Sequence, residues 1–199
     1  MVRQHVDPFQ SRYQELIEIP NWNEIFENSN LPILIDIGPA RGKYLIEMAE
    51  KNLDRNYLGL EIREQLVTKA NEEVKEKKLR NIHFIFCNAS LNFIPIYESL
   101  KNRVDIVNIL NPDPWYKNSH KKRRLITLDF VKGLYYNVKN GLEIHIQSDV
   151  EELIKDIDQT MEFFFEKIGD DFPVISDREK YALANDETIF KRIFRKKIR

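Results

Sequence analysis

From residue 31 onward, short apolar runs rich in β-branched residues alternate with longer amphipathic runs. The short runs predict five strands, at Ile33–Ile37, Asn56–Leu60, Ile82–Phe86, Val104–Leu110 and Leu142–Gln147. The longer runs predict helices around Lys43–Lys51, Glu64–Lys77 and Leu125–Val138, and a further helix from Val150 to about Lys167. This alternation is typical of βαβ units, so we expect an α/β fold built on a parallel sheet. The last 25 residues, with Ile189 to Phe194, predict one or two closing strands.

The chain length and the polar N-terminus predict one domain with an appendage. At 199 residues the chain is long enough for one sizeable core. Residues 1–30 are polar with scattered aromatics and predict an arm or leader helix, which leaves 31–199 as the domain. No apolar run approaches the roughly 18 residues of a membrane span, and the N-terminus lacks a secretory h-region. We therefore expect a cytoplasmic protein with no membrane partner.

Cysteine and metal-ligand patterns exclude two kinds of site. The single cysteine, Cys87, excludes an internal disulfide and a multi-cysteine zinc site. No set of residues has metal-ligand spacing, so we predict no metal.

A segment from Asn111 to Arg124 joins two prolines around an acid to a dense basic strip. The prolines flanking Asp113 hold that carboxylate in one orientation with little entropy left to lose. The formal net charge is −1, but a patch sets the local field. The basic strip has the donor density expected of a surface that grips phosphates. It consists of Lys117, His120, Lys121, Lys122, Arg123 and Arg124. An acidic site beside it suggests chemistry on nucleic acid, whereas the C-terminal run Lys191–Arg199 is interpreted as a solvated basic tail.

An acid or an amide lies at or just beyond the end of each of the first four predicted strands. Ligands of open α/β sheets bind outside the carboxyl ends of the strands, which makes these positions candidates for one site. Each has an alternative role as a cap or turn residue. The four are Asp36, Glu61, Asn88 and Asp113.

The loop after the first strand favours an adenosine-containing cofactor without a pyrophosphate. Gly38 and Gly42 bracket a tight turn, and Glu61, which suits a ribose diol, falls 19 residues after Gly42. A dinucleotide fingerprint would need three glycines where this chain has Gly38, Ala40 and Lys43. The lysine at the third position disfavours a nicotinamide cofactor. S-adenosylmethionine has the diol, no phosphate and two cationic groups that suit Asp36.

With these residues placed, the chain resembles the bacterial tRNA (guanine-N7-)-methyltransferase family from about Leu31 to its end. Pro112-Asp113-Pro114-Trp115 with the basic strip is the most specific motif. Weaker matches are Asp36-Ile37-Gly38, Gly59 to Glu64, Cys87-Asn88-Ala89, Gln147-Ser148-Asp149, and Ser176 with Arg178-Glu179. The resemblance implies a Rossmann-like, seven-stranded methyltransferase fold, mostly parallel, with helices on both faces. It also implies methyl transfer from S-adenosylmethionine to N7 of a guanosine in the tRNA variable loop.

The resemblance also implies roles for individual residues. Asp113 matches the catalytic position. The cofactor set comprises Asp36, Gly38, Glu61, Asn88 and Asp113, and the tRNA set comprises Lys117, Asp149, Ser176, Arg178 and Glu179.

Several alternatives stay open at this point. Asn111 replaces an apolar residue of the family and suggests an enzyme that methylates exocyclic amino groups; Ala40 replaces a loop glycine and narrows the approach to the methionine moiety. A nicotinamide-dependent oxidoreductase is opposed by Lys43, and a non-catalytic RNA-binding module by the intact acidic set. Single residues also have structural alternatives: Ser176 and Asp149 as helix caps, Arg63 as a partner of Glu61 or Glu64, and Trp115 as a packing anchor. The protein is expected to be a monomer or a homodimer.

Overall fold

One mixed sheet organises the protein. The computed structural model describes residues 6–100, 102–173 and 176–197, and within them seven strands form the sheet. The strands are β1 Ile33–Ile37, β2 Asn56–Glu61, β3 Ile82–Phe86, β4 Val104–Leu110, β5 Glu143–Ser148, β6 Phe165–Gly169 and β7 Phe190–Lys196. Their order is β3-β2-β1-β4-β5-β7-β6, with β1 to β5 parallel and β7 antiparallel to both its neighbours. The expected seven-stranded, mostly parallel sheet is confirmed.

Helices cover both faces of this sheet, because its strands alternate their apolar side chains between two cores. Ile33, Ile35 and Ile37 of β1 belong to one core, and Leu34 belongs to the other. The helices are α1 Trp22–Ile25, α2 Lys43–Lys51, α3 Glu64–Glu76, α4 Ala89–Ser99, α5 Leu128–Asn137, α6 Glu151–Met161 and α7 Asp177–Ala184. Helices α2 and α3 build the core around Leu34, and α4, α5 and α6 build the larger one.

Helix α4 and strand β6 depart from the sequence predictions. The alternation predicts a helix between the third and fourth strands, but not its bounds; Pro95 lies inside α4 and the apolar residues of the helix follow no clear helical period. The helix predicted to run to about Lys167 ends at Met161, and Phe165 begins a strand instead. Three consecutive phenylalanines from 163 to 165 had extended the apolar pattern past the true helix end. Residues 176–197 hold strand β7, which confirms one of the one or two expected closing strands, and helix α7, which was not predicted.

The N-terminal arm, defined here as residues 6–30, packs onto the domain. It holds a 3₁₀ turn at Ser11–Tyr13 and the short helix α1, and Tyr13, Trp22 and Phe26 are buried. The Trp22 indole Nε1 donates to Ser99 Oγ at 3.0 Å. Residues 1–5 of the predicted arm lie outside the described residues. Across the described ranges, no helix combines the length and apolarity that crossing a membrane requires.

Candidate active site

The carboxyl ends of β1 to β4 meet at one edge of the sheet and bring the predicted polar residues together. Asp36 pairs in register with Gly59 on one side and Asn108 on the other, and the Gly38 amide donates to the Leu60 carbonyl at 2.8 Å. The Cys87 amide donates to the Glu61 carbonyl at 3.0 Å, which places Asn88 directly beside the end of β2. The edge is therefore lined by Asp36, Glu61, Asn88 and, beyond β4, Asp113.

Asp36 is a buried carboxyl with one oxygen left without a hydrogen-bond donor. Only 2% of the residue is exposed, and Oδ1 has no partner among the described residues. Burial, and secondly the charge of Glu61, raises the pKa of Asp36 to about 7. Burial, and secondly the charge of Asp36, also raises the pKa of Tyr44. An unpaired buried acceptor is costly unless a ligand completes it, so Asp36 marks a place for a donor or a cation.

Glu61 is held by its neighbours in the chain. Its carboxylate accepts from the Ala40 amide at 2.9 Å and from the Arg63 amide, Nε and Nη2 at 3.0, 2.9 and 3.0 Å. The pairing of Arg63 with Glu61, one of the two alternatives from sequence, is confirmed. Hydrogen bonding to Glu61 raises the pKa of Arg63, and the charge of Asp113 adds to the same effect. Arg63 thus lies in the field of both carboxylates.

The loop between β1 and α2 leaves open space next to Asp36. Gly38 and Gly42 have φ values of 78° and 69°, a conformation that favours glycine. A Cβ on Gly38 would meet no heavy atom within 4 Å among the described residues, whereas one on Gly42 would lie 2.4 Å from the Phe84 ring. Gly38 therefore faces accessible space and Gly42 packs against β3. Ala40 is also left-handed, with φ of 55°.

Asn88 is bound by the arm. Its Oδ1 caps α4 by accepting from the Ser90 amide at 3.0 Å, and its Nδ2 donates to the carbonyls of Pro8 and Tyr13 at 3.3 and 3.2 Å. The Tyr13 ring meets Phe86 edge-on, with centroids 6.2 Å apart. The arm therefore lies directly against the end of β3.

The Pro112-Asp113-Pro114 block leaves β4 through strained backbone. Asn111 and Trp115, the residues on either side, have φ values of 53° and 42°. Asparagine tolerates this conformation better than most residues, which gives a backbone reason for Asn111. The Asn111 amide donates to the Gln147 carbonyl at 2.7 Å and ties the block to β5. The centroid of the Trp115 ring lies 5.4 Å from the guanidinium carbon of Arg123 and 5.8 Å from the centroid of the His120 ring. Trp115 therefore packs against the basic strip.

The basic strip is less available for phosphates than its composition predicts. Lys121 and Arg124 both bind Asp156 of α6, at 2.9 and 2.6 Å, and Arg123 binds Asp7 of the arm at 3.0 Å. Lys117 and Lys122 are exposed and form no ion pair within the described part of the chain. Three of the six strip residues thus hold the strip to the rest of the protein.

A second cluster forms where α7 covers the end of β5. Ser176 Oγ accepts from the Glu179 amide at 3.1 Å, so its role as a helix cap is confirmed; it also accepts from Gln147 Nε2 at 2.9 Å. Asp149 does not cap α6, whose N-cap is Val150; it accepts from Arg178 Nε at 2.9 Å. The structure thus joins Asp149, Ser176, Arg178 and Glu179, while Lys117 lies outside this cluster on an exposed loop.

Lys191 completes the cluster and corrects the interpretation of the C-terminal run. Its ammonium lies 2.8 Å from Glu179 Oε1, and its side chain is only 12% exposed. Glu179 Oε2 is buried and accepts no hydrogen bond in the described residues. Lys191 and the residues up to Lys196 belong to β7, so this part of the run is not a solvated tail; residues 198 and 199 lie outside the described residues. The signal available in the sequence was the set of apolar residues, Phe190, Ile193 and Phe194, inside this charged run.

No cluster of three His, Cys, Asp or Glu side chains suited to a metal ion occurs among the residues that the structure describes.

Comparisons with known proteins agree with this arrangement. A family model described as a putative methyltransferase matches residues 30–189. A tRNA (guanine-N(7)-)-methyltransferase of Prochlorococcus marinus (strain MIT 9215) is 37% identical over 207 residues, covering 97% of this chain and 99% of that protein. A tRNA (guanine-N(7)-)-methyltransferase of Synechococcus elongatus is 40% identical over 153 residues, covering 76% of this chain and 72% of that protein.

Solved structures share the fold at low sequence identity. The 16S rRNA methyltransferase KamB superposes with a TM-score of 0.63 at 11% identity, covering 94% of this chain and 98% of that one. The aminoglycoside resistance methyltransferase NpmB1 gives a TM-score of 0.60 at 15% identity, covering 83% and 87%.

Proposed function

The chain belongs to the tRNA (guanine-N(7)-)-methyltransferase family, and from that premise we propose that it transfers a methyl group from S-adenosylmethionine to N7 of a guanosine in the tRNA variable loop. The observation that carries this proposal is the Pro112-Asp113-Pro114 block beside three other polar strand ends. In keeping with a tRNA substrate, we also propose that the protein works in the cytoplasm as a monomer or a homodimer.

The strand-end residues fit S-adenosylmethionine. Asp36 offers an unpaired carboxylate oxygen for a cationic group, and Gly38 leaves space for close approach. Glu61 would accept the ribose hydroxyls, for which at least one Arg63 donor has to leave it, because four donors already fill that carboxylate. Asn88 and Asp113 complete the set. Bound there, the cofactor would supply an electrophilic methyl group.

The chemistry of guanine N7 asks for positioning rather than for a base. N7 carries an in-plane lone pair and no proton, so no residue has to remove one. Alignment of the reacting atoms recovers about 7 to 11 kcal/mol in well-oriented systems. We assign Asp113 to the reacting base, where its fixed negative charge stabilises the positive charge that the purine gains.

Recognition of guanine calls for acceptors on its Watson-Crick edge. The N1-H and N2-H groups are donors, and an arginine at N7 and O6 would occupy the nucleophile. Glu179 Oε2 is a buried acceptor without a partner in the described residues, and Asp149 lies in the same cluster. We propose that these carboxylates read the base after it leaves the stack, which requires about a few kcal/mol.

Incubation with unmodified tRNA and methyl-labelled S-adenosylmethionine, followed by nucleoside analysis, tests the proposal. We expect label in 7-methylguanosine, and loss of more than about a hundredfold in kcat for Asp113→Asn, which keeps the size of the side chain and removes its charge. Label in an N6- or N4-methylated base, or tRNA binding without methyl transfer, would contradict it.

A further inference from the structure

Among the described residues, Arg124 is the one strip residue whose side chain hydrogen-bonds the backbone of the Pro112-Asp113-Pro114 block. Its Nε donates to the Pro114 carbonyl at 2.7 Å, and its Nη1 donates to Asp156 Oδ2 at 2.6 Å. The side chain is only 12% exposed, so it has little surface left for a phosphate. One guanidinium therefore links the block to helix α6.

Asp156 gives this link a rigid base. Helix α6 buries Leu153, Ile154 and Ile157 in the larger core, which fixes the position of the carboxylate. Asp156 also accepts from Lys121 Nζ at 2.9 Å, and hydrogen bonds from Arg124 and then Lys121 lower its pKa. The three side chains form a charged clamp between the strip and α6.

The space beside the block shows why a clamp is needed. A cavity of about 290 Å³ lies between the block, the start of α5 and α6; Pro112, Asp113, Arg124, Leu153 and Asp156 are among its lining residues. Close packing therefore does not hold the block on this side. The left-handed residues at its two ends, Asn111 and Trp115, persist only where surrounding contacts fix them.

We infer that Arg124 is a positioning residue, which holds the Asp113 block through its hydrogen bond to Pro114 and its ion pair with Asp156, rather than a tRNA phosphate contact. The inference rests on the proposed function and adds a role to a residue that the basic strip alone would assign to phosphate binding. It predicts separate effects on turnover and on electrostatic binding.

The test compares Arg124→Ala with Lys117→Ala in the full-length protein. For Arg124→Ala we expect kcat to fall by about 10- to 100-fold, because a displacement near 1 Å can reduce turnover by about a hundredfold. The dependence of tRNA affinity on salt should keep its wild-type slope. Lys117→Ala serves as the reference for loss of a phosphate contact. For this variant we expect the slope of log tRNA affinity against log salt concentration to be smaller by about one, and the KM for tRNA to be higher. Lys155→Ala, which breaks an exposed ion pair on the same helix, should resemble wild type.

The Asp156 side of the clamp supplies an independent measurement. Asp156→Asn should lower kcat in the same direction, and the double variant with Arg124→Ala should lose less than the product of the two single losses. Arg124→Lys retains the charge but cannot donate to Pro114 and Asp156 from two separate nitrogens. Its kcat should therefore lie between those of Arg124→Ala and the wild type. If Arg124→Ala does not fold, as judged by circular dichroism, Asp156→Asn alone decides, and a wild-type kcat there would overturn the inference.

Two further results would have distinct meanings. An Arg124→Ala enzyme with normal kcat and a salt slope reduced by about one would make Arg124 a phosphate contact and overturn this inference alone. A wild-type protein that forms no 7-methylguanosine would overturn the proposed function first, and the positioning role with it.

Discussion

At the scale of single residues, the site combines carboxylates in different electrostatic states. Asp36 is buried with an unpaired oxygen and a pKa of about 7, whereas Glu61, a neighbour at the same edge, is fully hydrogen-bonded and paired with Arg63. The sequence predicted both residues, because each lies at the carboxyl end of an apolar strand. It left the partner of Arg63 open, since both candidate partners lie within two residues of it.

The pKa of Asp36 predicts that cofactor affinity rises with pH. About a tenth of this carboxyl is ionised at pH 6, one unit below a pKa of about 7, so we expect affinity for S-adenosylmethionine about tenfold lower at pH 6 than at pH 8. Calorimetric titration across this range measures the effect. Asp36→Asn is the control, because titration of the ligand is common to both proteins; equal slopes for the two would contradict the prediction.

In the absence of ligand, the Asp36 carboxyl makes the folding stability fall as pH rises, whereas its effect on cofactor affinity is a rise with pH. Its folded pKa of about 7 exceeds the unfolded value of about 3.9, so the folded state binds more protons between them. This contribution to stability is present below pH 4 and is lost as pH rises through about 7. The difference between wild type and Asp36→Asn in urea denaturation should show this sign.

Glu179 and Lys191 form a largely buried pair whose breakage should be costly. Lys191→Met leaves a buried carboxylate without its cation, and we expect a loss of about 3 kcal/mol in the free energy of unfolding. The double variant Lys191→Met/Glu179→Gln should recover part of that loss. Lys180→Met, which breaks an exposed pair with Glu47, should change stability by less than about 1 kcal/mol. Urea denaturation measures all three; a double variant less stable than Lys191→Met would argue against the pair.

At the scale of elements, the spacing of apolar residues along the chain decided which strands and helices could be predicted from the sequence. The five parallel strands were predicted because each is a short apolar run, and Asp, Glu or Asn lies at the end of most of them. The bounds of helix α4 could not be predicted, because its buried side, which includes Phe93, Ile96 and Tyr97, is flanked by further apolar residues and Pro95. The start of β6 was assigned to a helix because Phe165 continues the apolar pattern of α6, and only the packing of β6 on β7 distinguishes the two.

The turn before α2 predicts a destabilising effect of Gly42→Ala. The added methyl would meet the Phe84 ring at 2.4 Å, in a residue whose φ is 69°. We expect a loss of about 2 to 4 kcal/mol from overpacking and left-handed strain together. Gly141→Ala is the matched control, since Gly141 has a φ of 84° and open space around its Cβ position. If the two variants lose equal stability by urea denaturation, contact with Phe84 contributes nothing.

At the scale of the whole molecule, strand order brings the two sets of site residues together. Placing β4 beside β1 and β5 beside β4 puts Asp36, Asp113 and the α7 cluster along one edge. The sequence predicted the residues of both sets but not this order, which depends on pairing between distant segments. It also could not predict Lys191, because its role requires β7 to lie antiparallel against β5.

Truncation of the arm should weaken cofactor binding without unfolding the protein. Deleting residues 1–14 removes the carbonyl partners of Asn88 and the ring that meets Phe86, but keeps Trp22 and Phe26 in the core. We expect a folded protein with affinity for S-adenosylmethionine several-fold weaker, because Asn88 loses the contacts that orient it. Calorimetry measures the affinity, and circular dichroism verifies the fold. Unchanged affinity would restrict the arm to a structural role.

Between residues 8 and 17, the arm is hydrogen-bonded to α4 and its N-cap through main-chain atoms of the arm. Asn88 donates to the main-chain carbonyls of Pro8 and Tyr13, and Asn92 accepts from the Ile17 amide and donates to the Glu15 carbonyl. These four bonds therefore depend on the spacing of peptide groups and hardly on the identity of side chains. Most substitutions between residues 8 and 17 preserve these hydrogen bonds, whereas one inserted or deleted residue shifts the peptide groups by about 3.5 Å and breaks them together. These four hydrogen bonds are thus fixed by the number of residues in the segment, whereas the buried Tyr13 ring is what fixes a side chain in it.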